Sequence, residues 1–317
     1  MMGTLLAILV APALAFGQAY PAKPIHLIVP FPPGGGTDLF SRAVASKLSE
    51  TLNWTLVVDN KPGAGGNLGI EAAVKLPADG YTMVMGQTSD LAVNPTLYRK
   101  LPYDPLKDLA PVVLVASAPI VMVVSDKSPF RSLGDLVAAA KEKPGRITLA
   151  TPGNGTVSHL SAVLLQHAAG IELVHVPYKG AAQALPDLMG GQVDLFSSSV
   201  SSSIGQIKGG KLRALAVTSA KRSPALRDVA TVAESGYPGF DADTWYGLLM
   251  PAGAPPAVVQ RVNAEVNKVL SLPDLRERIG AEGGEPLGGT PERFAALLKA
   301  DLAKWGNAVR QSGAKVD

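Results

Sequence analysis

Apolar positions in this chain fall into short runs of about five residues. Each run is followed by a glycine-rich or polar break, and then by a segment with apolar residues every three or four positions. The runs at 25–30, 56–60 and 82–86 are rich in Ile, Val, Leu and Met. Such runs, bounded by turn residues, read as buried strands, and the segments 39–52, 68–75 and 91–97 between and after them read as helices. The stretch 112–124 is nearly all β-branched or small and is broken by Ser117-Ala118-Pro119, so it predicts two consecutive buried strands. The pattern then restarts. A helix at 133–143 closed by Pro144-Gly145 leads to a strand at 147–151, a helix to 169, a strand at 173–176 and a helix to 189. A strand at 193–196, a serine-rich turn at 197–203 and a strand at 212–218 complete this half. A return strand is predicted at 244–250, and helices at 256–270, 275–280 and 291–311.

Strands and helices alternating through short loops predict parallel α/β architecture. Two similar arrays, with the chain returning near Trp245, predict two lobes joined by two crossings. Residues 20–120 with 247–317 form the first lobe and 121–246 the second, with the C-terminal helices packed on the first. Ligands of open α/β sheets sit beyond the carboxyl ends of the strands. In two facing lobes those ends border one cleft, which can close by hinge motion.

Composition narrows the function. The chain has 317 residues, 47% apolar and 17% charged, with a net charge of +3 and no basic cluster. A nucleic-acid partner would need clustered Lys and Arg, so none is expected. Cysteine is absent, which removes disulfides, thiol catalysis and thiolate metal sites together. Residues 4–16 form an uninterrupted apolar run ending in Ala13-Leu14-Ala15, a pattern for cleavage near Ala15, with a second possible cut after Ala19. We read residues 1–19 as an export signal. The absence of Lys or Arg before the run departs from that pattern and leaves the translation start open.

Four loops each follow a strand and open a helix: 31–38, 86–90, 151–158 and 177–181. All offer Gly, Ser, Thr or Asn donors, which are uncharged and suited to a carboxylate. Tight βα turns need glycine in any case, but Gly34-Gly35-Gly36 and Gly153-Asn154-Gly155-Thr156 in opposite lobes together favour a site. The candidate ligand residues are Phe31, Gly35, Gly36, Thr37, Asp38, Ser89, Asp90, Gly153, Asn154, Thr156, Ser158, Tyr178 and Phe196. Asp38 reads most simply as an N-cap. Phe31, Tyr178 and Trp245 are placed to wall the cleft, whereas the strand position of Phe196 favours the core. No cofactor is implied. Leu68 stands where a dinucleotide fingerprint wants glycine, and no glycine loop carries a Walker lysine. His26, His167 and His175 lack metal-ligand spacing, so no metal is expected. Ser158 and His159 are adjacent, but neighbours on a helix point about 100° apart, which disfavours a catalytic pair.

Several motifs together resemble the tripartite tricarboxylate transporter receptors, also called Bug-type binding proteins. They are Tyr20-Pro21, Lys23-Pro24-Ile25, the run from Val29 through Pro32-Pro33 to Asp38, Asn60-Lys61-Pro62-Gly63-Ala64-Gly65-Gly66, Ala78-Asp79-Gly80-Tyr81-Thr82, Asn94-Pro95, Val176-Pro177-Tyr178-Lys179-Gly180 and Gly191-Gln192-Val193-Asp194. The resemblance runs from Tyr20 to the C-terminus. It implies a type II Venus-flytrap fold and a non-enzymatic, monomeric periplasmic receptor. Such a receptor holds a small organic acid, a dicarboxylate or an aromatic acid, between the first glycine loop and 151–158, through loop donors and ordered water. It hands the acid to a permease of one large and one small membrane subunit; the alternatives are a sensor receptor that presents the same ligand to a signalling kinase and, behind it, a periplasmic serine hydrolase using Ser158 and His159. Asp90 departs from the family pattern, in which many members carry a neutral or basic residue. A carboxylate there is expected to repel a second ligand carboxylate or to welcome an amino or hydroxyl group, against citrate-like polyanions.

Overall fold

In the computed structural model, which describes residues 20–316, two mixed sheets share one long strand. The first half of the chain runs β1 (Ile25–Val29), α1 (Gly36–Leu52), β2 (Leu56–Asn60), α2 (Asn67–Val74) and β3 (Thr82–Gln87). A π-helical turn (Ser89–Val93) and α3 (Asn94–Leu97) precede β4 (Leu109–Ser125). The second array is α4 (Leu133–Glu142), β5 (Thr148–Thr151), α5 (Val157–Ala169), β6 (Val174–Pro177), α6 (Ala181–Met189), β7 (Leu195–Ser199), α7 (Val200–Lys208) and β8 (Leu212–Val217). The chain returns through β9 (Asp243–Pro251) to α8 (Pro256–Ser271), α9 (Pro273–Ala281), β10 (Glu285–Pro286) and α10 (Pro291–Ser312). The expected export signal lies outside the described residues.

The strand order is β2-β1-β3-β9-β4-β7-β5-β6, with β8 and β10 also paired to β4. Each half contains a parallel trio, β2-β1-β3 or β6-β5-β7, joined to the rest by antiparallel pairing with the crossing strands. Where the sequence predicts two strands at 112–124 there is one, β4, seventeen residues long. The Pro-containing interruption is a change of partner, not a break in the strand. As far as Pro119 the strand pairs with β9, and from Ile120 it pairs with β7 and β8. Proline has no N–H to give a ladder, and register shifts at Pro111/Val113 and Leu114/Ala116 twist the strand just before it. Fully buried Thr218 ties the changeover. Its hydroxyl accepts from Ile120 N–H at 3.1 Å and donates to Ala242 C=O at 2.7 Å.

Helices cover both faces of each sheet, so the central strands are buried on both sides, which explains their unbroken apolar runs. Helices α8 and α9 pack on α1, as expected of C-terminal helices returning to the first lobe. Helix α10 lies against the π-helical turn and α3 but also reaches α5 of the other half. Among the described residues no helix is long and apolar enough to cross a membrane.

Candidate functional site

The first glycine loop is rigid for a reason the sequence hides. Gly35, not Asp38, is the N-cap of α1, and it makes no side-chain cap. Asp38 lies in the first turn and its carboxylate reaches back, with Oδ2 accepting Gly34 N–H at 3.0 Å. Oδ1 accepts from Arg42 Nε at 2.9 Å and from Asn60 Nδ2 at 3.0 Å, and Asn60 Nδ2 also donates to Phe31 C=O. Asp38 is therefore spent on latching the loop. The N–H groups of Gly35, Gly36 and Thr37 have no acceptor among the described residues, so the start of α1 is a bare anion-seeking terminus.

The second loop has a different latch. Thr156 caps α5, accepting His159 N–H at 3.3 Å and donating to Gly153 C=O at 2.9 Å. His159 Nδ1 accepts Gly155 N–H at 3.1 Å, which requires the neutral ring. Burial, with His175 beside it, pushes the pKa of His159 down to about 4. The two imidazoles stack with centroids 4.0 Å apart, and His175 Nε2 lies 2.7 Å from Thr151 Oγ1. The Ser158 N–H has no acceptor among the described residues, and neither has its hydroxyl. Asn154 is exposed and Gly153 half-buried at the rim.

The halves touch around the two loops. Ser89 Oγ, at the first residue of the π-helical turn, accepts Val157 N–H at the first residue of α5 at 3.2 Å. Gly155, at φ +71°, presses on α3: a Cβ there would stand 1.9 Å from Leu97 Cδ2. A Cβ on Gly36 would stand 2.6 Å from the Tyr246 hydroxyl and 3.1 Å from Ser201 Oγ. Ser201 and Tyr246 were absent from the sequence candidates. The serine run 197–203 is not a turn but the end of β7 and the first turn of α7. Ser197 Oγ donates to Ser158 C=O at 2.8 Å, and Ser198 and Ser203 share a 2.6 Å hydrogen bond. The run thus brings the start of a third helix to the same place. Its signal was available in the helical spacing of Val200, Ile204 and Ile207.

The aromatic expectations divide. Trp245 does not wall the site. It is buried, its Nε1 donates to Asp301 at 2.6 Å, and its ring meets Phe294 edge-on. Neighbours on a strand face opposite sides, so Tyr246 takes the place expected of Trp245. Phe196 is fully buried in the second half's core, as its strand position suggests. Tyr178 is half-buried and its hydroxyl donates to Asp187 at 2.7 Å, which pushes its pKa up to about 12. Phe31 is half-buried beside Gly66.

Asp90 differs most from expectation. It is fully buried, and burial raises its pKa well above the carboxylate range despite hydrogen bonds from backbone N–H groups. Oδ1 accepts Gln87 N–H at 2.8 Å, and Oδ2 has no partner. Burial thus favours the neutral form, in which the acid does not repel a second carboxylate. Among the described residues no three His, Asp or Glu gather as a metal site.

Facing helix termini beneath a crossing pair of strands define a two-half solute-binding architecture. The sequence model of the tripartite tricarboxylate transporter family receptor matches residues 40–314, and the chain belongs to that family. It is 43% identical over 289 residues to the UPF0065 protein in the tcbD-tcbE intergenic region of Pseudomonas sp. strain P51, covering 91% of this chain and 86% of that one. A solved R. palustris protein with adipate superposes with a TM-score of 0.90 at 34% identity, over 94% of this chain and all of that one. MatC from Rhodopseudomonas palustris with bound malate superposes at 0.84 and 29% identity, over 92% of this chain and all of the other.

Proposed function

We propose that this chain is a periplasmic receptor that captures a small organic acid between its two halves and delivers it to a tripartite membrane transporter. One observation carries the reading. The N-termini of α1 and α5, one from each half, present unpaired amides at a place where the halves touch, and loops 31–38 and 151–158 contain no Lys or Arg. Preorganised neutral donors away from water hold a carboxylate without a fixed cation. The relatives with adipate and malate support the same ligand class.

On this reading residues 20–120 with 247–317 are one lobe and 121–246 the other, and β4 and β9 form the hinge. Gly35, Gly36, Thr37, Thr156 and Ser158 supply the donors, joined by Ser201 and Tyr246. Phe31 and Tyr178 cover the apolar body of the ligand, with ordered water filling remaining valences. The receptor acts as a monomer, exported on the signal at 1–19, and docks on one large and one small membrane subunit. It performs no chemistry: the imidazole beside Ser158 has its basic nitrogen occupied by Gly155 N–H and its face by His175.

A thermal-shift panel of organic acids tests the receptor. A ligand at a hundred times its Kd adds about 2.7 kcal/mol to stability. A Cβ at Gly35 meets nothing within 4 Å, so Gly35→Val is expected to keep the ligand-free Tm and lose the shift. A variant that keeps the shift removes the first loop from the site.

A further inference from the structure

The unpaired oxygen of Asp90 is the least explained polar atom near the site. It belongs to a fully buried side chain, and in a folded interior such atoms almost always find a partner. Its surroundings are specific. A Cβ on Gly66 would lie 3.0 Å from Asp90 Cβ, 3.0 Å from Oδ2 and 3.0 Å from Phe31 Cζ, so these three residues converge on one point. Gly66 sits at φ +98°, so this close approach needs glycine both for its backbone angle and for its missing side chain. Asp90 follows Ser89, whose hydroxyl bridges to the first turn of α5, so the orphan oxygen is one residue from the contact between the halves. Phe31 begins the first glycine loop. The corner therefore borders the anion termini but is separate from them.

We propose that Asp90 is a specificity-determining residue: its Oδ2–H donates to a second carboxylate of the ligand, which makes this receptor selective for dicarboxylates over acids ending in a methyl or an ammonium group. The proposal rests on the receptor reading above and adds to it the chemistry of the ligand's far end. Oδ1 is already committed to Gln87 N–H, which leaves Oδ2 to carry the proton and to point it at the corner. Burial favours the neutral acid, and neither Lys, Arg nor His is among the groups acting on it; nearby Tyr103 donates its hydroxyl to the Asp90 backbone carbonyl. An ammonium needs three acceptors. This corner offers one oxygen among a phenyl ring and a glycine, whereas a carboxylate oxygen needs only the single donor that is there. Phe31 Cζ stands at the same corner, 3.0 Å from where a Gly66 Cβ would be, and ligand entry requires that ring to move.

The test is calorimetric binding of matched four-, five- and six-carbon acids whose far end is a carboxylate, a methyl or an ammonium, from succinate, butyrate and 4-aminobutyrate to adipate, hexanoate and 6-aminohexanoate. Wild-type protein is expected to bind one of the dicarboxylates at least tenfold tighter than its two counterparts, with no net proton exchange at pH 7. Asp90→Ala is expected to lose that preference while the methyl-ended acid binds as before. Asp90→Asn keeps a donor in place and is expected to retain dicarboxylate affinity within a few-fold. It is nearly isosteric, so it keeps the test valid should the alanine variant not fold. A wild-type preference for the ammonium series, proton uptake with the dicarboxylate, or an unchanged preference in Asp90→Ala overturns the proposal and leaves the receptor standing. If none of the panel binds wild-type protein, the receptor reading for these acids falls, and this inference with it.

Discussion

Loops 31–38 and 151–158 do the same geometric job with opposite chemistry. Both leave a strand, pass through glycines and open a helix with bare amides. The first is held by a carboxylate that gathers Gly34 N–H, Arg42 and Asn60. The second is held by a hydroxyl and a neutral imidazole, Thr156 and His159. The first carries its restraint within its own half. The second also leans on the other half, through Gly155 on Leu97 and Val157 N–H on Ser89. The lesson is an asymmetry: the first loop is a fixed jaw, whereas the second is shaped by the contact between halves and by acidity.

The largest way to break the comparison is Gly155→Ala. The new methyl collides with Leu97 in a left-handed backbone, and strain plus overpacking sum to about 4 kcal/mol in urea unfolding. The matching change in the fixed jaw, Gly34→Ala, meets open space at φ +85° and should cost only about 1 kcal/mol. Acid comes next. The unfolded His159 takes up its proton near pH 6.5 and the folded one only near about 4, so the unfolded state gains protons first as the pH falls. Stability is then lost between these values, by about 3 kcal/mol at the bottom of the window, and it is constant above pH 6.5 for this group. A pH series of wild type against His159→Gln should show the difference shrinking from neutral pH to pH 4. A parallel curve would clear His159. Asp38→Ala should cost about 2 kcal/mol by freeing Gly34 N–H and Asn60 together, with a ligand shift that falls as the first loop loosens. The smallest effect is Thr156→Ala, about 1 kcal/mol for the lost cap, read by chemical denaturation.

Most strands were legible because buried parallel strands must be unbroken apolar runs, and 25–30, 56–60 and 82–86 in the sequence are Ile25–Val29, Leu56–Asn60 and Thr82–Gln87 in the fold. The reading failed where one local signal has two structural meanings. Pro119 marks a strand end in most contexts, but here it marks the residue at which one strand exchanges neighbours, which depends on β7, β8 and β9. A serine cluster reads as a turn, yet at 198–203 its hydroxyls pair with one another and a helix starts within it. Asp38 could not be told from an N-cap until the partners Arg42 and Asn60 were in view.

By itself the sequence determined the order of strands and helices, the two arrays, and the glycine loops that open α1 and α5. Those features depend on residue size, branching and spacing along the chain. Only the tertiary structure decided that Asp90 is fully buried, which favours its neutral form, that Tyr246 and not Trp245 faces Gly36, and that Ser201 lies beside Gly36. The physical reason is that charge state and exposure belong to the space around a side chain, and that space is built by segments far away along the chain, as Tyr246 is from Gly36.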